Sequence, residues 1–127
     1  MSKRTRTPKP DATLAALKAG QQDADILSLN TFAVAVEAAK RTGDLRRKVT
    51  EQKEKVAALN ARCNATGYAC DVDDAVDAER RLAELQAAFT ASEKETHDAI
   101  DKWRPAQAAA NAMAQAIEAY RNTIAKA

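Results

Sequence analysis

The sequence predicts an all-α fold: a long antiparallel helical hairpin, coiled-coil-like, with a short N-terminal helix before it and an alanine-rich helix after it. Three observations carry this expectation. Gly and Pro together fill only six of 127 positions, too few to punctuate a β-rich domain. Apolar residues recur at alternating spacings of four and three over long stretches. A glycine followed by acidic residues separates two of those stretches, as the end of one helix and the start of another require.

Composition sets the limits. Leu, Ile, Val and Phe together account for 20 of the 127 residues, about 16%, and most of the 46% hydrophobic content is alanine. That share of large apolar residues is under the roughly 20% at which disorder becomes a concern, but a net charge of only +2 argues against disorder. A highly helical chain with a thin core is what remains. Two helices alone enclose little interior, so the expected partner is another copy of the chain or a larger protein assembly.

No apolar run approaches the ~20 residues of a membrane span. The opening MSKRTRTPKP has no apolar segment after its positive charges, which excludes a secretory signal. Cytoplasmic synthesis is expected, with incorporation into a larger particle as one destination.

Taken in order, residues 1–10 read as a disordered basic arm carrying Lys3, Arg4, Arg6 and Lys9 together with two prolines. Residues 11–127 then form a single helical domain. Asp11 can cap a short helix that shows Leu14 and Leu17 on one face and ends at Gly20. Asp23 can cap a much longer helix running to about Arg62, which at 1.5 Å per residue spans ~60 Å. Its first half is apolar on more than one side: Ile26, Leu29, Ala33 and Val36 share a face, while Leu27 and Val34 lie elsewhere. That density predicts burial on two sides. Gly43 is a candidate kink or break.

The second half narrows to a seam of about three heptads through Leu45, Val49, Gln52, Val56, Leu59 and Cys63. Gln52 in that seam reads as a register device or a weak point. A turn near 63–71 follows, with Gly67 just past the periodic run. Asp71, Asp73, Asp74 and Asp77 crowd the start of the next helix, where the helix dipole favours negative charge. Leu82, Leu85, Phe89, Thr96, Ile100 and Trp103 continue the pattern. Pro105 fits either a kink or the first turn of a final helix. In that final segment Met113, Ile117, Tyr120 and Ile124 recur at heptad spacing, with alanines that permit close helix approach.

Each candidate site in the sequence has a structural role as its alternative. Cys63 and Cys70 flank the turn and could bridge if their Cα atoms came within about 7 Å; two reduced thiols are the expectation for a chain made in a reducing compartment. Neither a C-x-x-C spacing nor a second Cys/His pair exists, so no zinc site is expected. Asn64–Thr66 matches a glycosylation acceptor, which has no role without export. The run from Asp71 to Glu79 has the alternating acids of a calcium loop, but Val76 and Leu82 stand where that loop needs glycine and glutamate. Glu93, His97 and Asp101 recur every four residues and read as a solvated helix face, since bundle metal sites draw ligands from several helices.

Catalysis has no visible apparatus. One histidine, three glycines, no phosphate-binding loop and no basis for a concave pocket predict a non-enzymatic protein without cofactor or small-molecule substrate. Trp103 beside Arg104 and Pro105 is either an exposed recognition element or an anchor. The basic arm could neutralise phosphates without reading sequence, but no aromatic residue accompanies it to stack on bases.

The functional expectation is therefore a structural or assembly subunit. Its packing would run through Leu45, Val49, Val56, Leu59, Leu82, Leu85, Phe89, Trp103, Met113, Ile117, Tyr120 and Ile124. In style, though in no motif, the chain is similar to minor structural proteins of bacteriophage particles. The alternatives are a nucleic-acid-associated protein using Lys3, Arg4, Arg6 and Lys9, and a small coiled-coil regulator or chaperone.

Overall fold

The computed structural model describes residues 8–126, with side chains described for 12–68 and 71–126. Two helices pack against each other as a hairpin: α1, Pro8–Thr66, and α2, Ala69–Lys126. The chain divides into two units. A turn unit comprises residues 35–98. A terminal unit pairs the described part of α1 up to Val34 with α2 from Ala99 onward.

In the turn unit the chain reverses over only Gly67 and Tyr68. Gly67 adopts the left-handed conformation, φ 66°, and its N–H donates to the Cys63 carbonyl at 2.8 Å. This closes α1 with a single left-handed cap of the kind glycine favours. The Tyr68 carbonyl then accepts from the N–H groups of Asp71 and Val72, at 3.1 and 3.2 Å, and opens α2.

A polar tie crosses the reversal. The Asp71 carboxylate, with its side chain only 11% exposed, accepts from the Thr66 hydroxyl at 2.7 Å and from Arg62 Nε at 3.1 Å. The Thr66 hydrogen bond, followed by Arg62, holds the Asp71 carboxyl below its ordinary value, while burial pulls the other way.

Beyond the turn, small residues fill the seam. Ala35, Ala38, Val49 and Val56 from α1 and Ala75, Ala78 and Leu85 from α2 are buried. Leu45, Leu59, Leu82 and Phe89 are half-buried. Polar groups bond across the seam. The Thr42 hydroxyl meets those of Ser92 at 2.6 Å and Thr96 at 2.9 Å, and Gln52 Nε2 donates to the Ala78 carbonyl at 3.0 Å. The Arg46 guanidinium lies 5.6 Å from the centre of the Phe89 ring. Each step forward along α1 is matched by a step back along α2, which is the antiparallel register.

The terminal unit repeats the seven-residue spacing with smaller and more polar α1 residues. Leu14, Leu17, Gln21, Ala24 and Thr31 are half-buried and Ser28 is buried. Opposite them lie buried Ala99, Ala106, Ala110 and Ile117, with Trp103, Met113 and Tyr120 half-buried. The Ser28 hydroxyl donates to Gln107 Oε1 at 2.6 Å. A methyl group at Gly20 would stand 2.7 Å from Met113 Cε, so this glycine makes room for the methionine.

Three expectations need correction. The short N-terminal helix is not a separate element, because α1 runs unbroken from Pro8 through Gly20 and Gly43. A lone glycine costs only about 1 kcal/mol inside a helix, which continued seam packing offsets. The alanine-rich C-terminal segment is likewise part of α2, with Pro105 inside it. Pro105 is exposed, so the carbonyl deprived of its donor can turn toward water. Finally, the connection is only two residues, shorter than the turn expected near 63–71, since α2 starts at Ala69 ahead of the aspartates. Pro8 stands in the first turn of α1, where its missing N–H costs nothing.

The two remaining turn-unit glycines should respond oppositely to alanine. Gly43 has open space around its Cα, so Gly43→Ala should raise the unfolding free energy by about 0.5–1 kcal/mol. Gly67→Ala should lower it by about 1 kcal/mol through left-handed strain. Urea unfolding of both variants checks the pair. Asp71 supplies a pH test. A carboxyl depressed by folding adds stability above its unfolded value near 3.8, and that contribution disappears as pH falls through the lower folded value. The stability gap between wild type and Asp71→Asn should therefore be open at pH 7 and shrink below about pH 4, as followed by circular dichroism.

Candidate interaction surface

Which residues lie outside the seam distinguishes the terminal unit. Ile26, Leu27, Leu29, Phe32 and Val34 are between 47% and 67% exposed, all within nine consecutive residues. The sequence pattern predicts burial on two sides of this stretch. The seam instead takes Ser28 and Thr31 inward and leaves the large side chains out. Local chemistry accommodates the exchange, because the Thr31 hydroxyl bonds the Leu27 and Ser28 carbonyls at 2.8 and 3.0 Å and Ser28 reaches Gln107. Phe32 has partial cover, its ring centroid lying 5.4 Å from that of Trp103 at 51°.

On one side of this unit the two helices leave a shallow groove. Leu27, Thr31 and Val34 line it from α1, and Lys102, Pro105 and Ala109 from α2. Its lining mixes these apolar side chains with four polar ones, Asn30, Thr31, Asp101 and Lys102.

The turn unit has a different surface. Charged residues pair along and across its helices: Lys40 with Glu37, Arg47 with Asp44 and Glu51, Arg80 with Asp77, Arg81 with Glu84, and Arg41 with Glu95 from the other helix. All of these are well exposed, where each pair contributes at most ~1 kcal/mol. The basic run from Arg46 is thus interleaved with acids and presents no continuous cationic stripe. Val72 and Val76 are exposed near the start of α2, as is Tyr68 in the turn.

The other predicted site residues fall as follows. Ile124, expected in the seam, is 41% exposed, one turn beyond the half-buried Tyr120. His97 is exposed. Among the described residues no three His, Cys, Asp or Glu side chains gather where they could hold a metal ion, and no described helix is long and apolar enough to cross a membrane. Cys63 is half-buried at the end of α1, whereas the Cys70 side chain lies outside the described residues, as do Lys3, Arg4 and Arg6 and the side chain of Lys9. Sequence reasoning missed the hydroxyl cluster of Thr42, Ser92 and Thr96. Thr42 lies 50 residues from Ser92 and 54 from Thr96, and only the register brings them together.

Phe32→Ala should uncover Trp103, the only tryptophan in the chain, and cost about 1 kcal/mol for the lost ring contact. A red shift of native-state emission checks this; unchanged emission would mean that the rings do not meet in solution.

Comparisons with protein-family models, with curated proteins and with solved structures find no match to this chain.

Proposed function

We propose that the protein is a non-enzymatic assembly subunit, which acts by presenting helical apolar surface to another protein. One observation carries this reading: the large apolar side chains of residues 26–34 lie outside the seam while alanine, serine and threonine lie inside it. An arrangement that leaves its largest apolar groups in water is stable in an assembly that covers them. The thin seam supports the same reading, for among the described residues no side chain is fully enclosed. Asp71, the carboxyl held low, is occupied by Thr66 and Arg62 in the turn, a structural use of its charge. A structural role in a larger particle is one form such an assembly takes.

Size-exclusion chromatography with light scattering on the full-length chain, with absorbance read at 260 and 280 nm, tests the proposal. A defined oligomer free of nucleic acid supports it, and so does a single chain that is poorly folded alone. A stable, fully helical single chain overturns it. Co-eluting nucleic acid that salt removes would replace it with binding through the basic arm.

A further inference from the structure

Resting on the assembly reading, we propose that the partner is a second copy of this chain, docked reciprocally in the groove of the terminal unit. A groove between two antiparallel helices fits the ridge of a third helix, and α1 carries such a ridge. Ile26 and Leu29 project away from the seam on the same segment that supplies Leu27 and Val34 to the groove wall. The segment is thus wall and insert at once, which is what a two-fold, self-complementary contact needs.

Area and charge agree with this. The exposed parts of Ile26, Leu27, Leu29 and Val34 amount to ~400 Å², at the scale that marks an interaction patch. With the α2 wall added, each partner offers less than the ~800 Å² of a standard interface, the size of a reversible contact between two copies. Lys102 lines the groove, and Asp23 and Asp25 stand just before the apolar segment. Among the described residues none of the three belongs to an ion pair. An antiparallel second copy brings acids of this kind toward the lysine of its neighbour, which pairs charges that the single chain leaves open.

Light scattering across a concentration series tests the site on the full-length chain, with circular dichroism to verify folding. Wild type should show a two-chain mass. Leu27→Glu combined with Val34→Glu should remain helical, since both positions are exposed, and dimerise roughly 30-fold more weakly or worse, as the loss of central apolar anchors does. Val76→Glu, in the turn unit, should leave the mass unchanged. Lys102→Glu should weaken the dimer, and adding Asp25→Lys should restore it. A two-chain mass kept by the double glutamate variant overturns this groove and leaves the assembly reading standing on another face. A poorly folded single chain in the wild type overturns the second copy alone, whereas a stable helical single chain overturns both.

Discussion

The two-residue reversal at Gly67 and Tyr68 is the constraint on which the turn unit depends. With so short a connection, the capped end of α1 and the first turn of α2 have one relative placement. Arg62 and Thr66 then meet Asp71, and the register that follows brings Gln52 to the Ala78 carbonyl and Thr42 to Ser92 and Thr96. A shift of either helix by one residue would rotate those groups away from their partners and leave buried polar atoms unpaired, at about 1–3 kcal/mol for each. Alanine-rich seams are permissive because many registers pack alanine equally well. The polar ties supply the discrimination that the apolar residues lack.

Much of this was legible in the sequence, for identifiable reasons. The spacing of Leu45, Val49, Gln52, Val56 and Leu59 reports one helix face whatever the partner is, and Gly67 marks a left-handed cap because few other residues adopt that conformation cheaply. Gln52 also announced itself, as a polar residue in an apolar periodicity. The misplaced helix end at Gly20 and the alternatives left open at Gly43 and Pro105 share one cause. Local propensity does not decide these positions, since each falls inside a helix whose neighbouring turns are held by seam contacts made elsewhere. Gly20 is decided by Met113, a residue 93 positions away whose proximity no local rule predicts.

The candidate surface was half legible. An apolar density around Ile26–Val36 was plain, and it called for burial on two sides. What the sequence could not apportion was which of those sides the chain itself covers. Ser28 and Thr31 occupy the inward positions because their hydroxyls find partners on Gln107 and on the α1 backbone, so neither is a buried polar group left without a bond. Leu27, Leu29 and Val34 are thereby displaced outward. The terminal unit thus has its inward hydroxyls satisfied internally and large apolar groups left for a second surface, the reverse of the usual division of labour in an isolated hairpin.

A seam rich in alanine, serine and threonine also shapes how the protein responds to temperature. The heat-capacity increment of unfolding comes from apolar surface newly exposed to water, and polar surface subtracts from it. This chain uncovers little of the first and a fair amount of the second. Its increment per residue should lie below the ~12–15 cal/mol/K common to globular domains, and its stability curve should be correspondingly shallow. Folding enthalpy and entropy then change slowly with temperature, so stability falls off little on cooling.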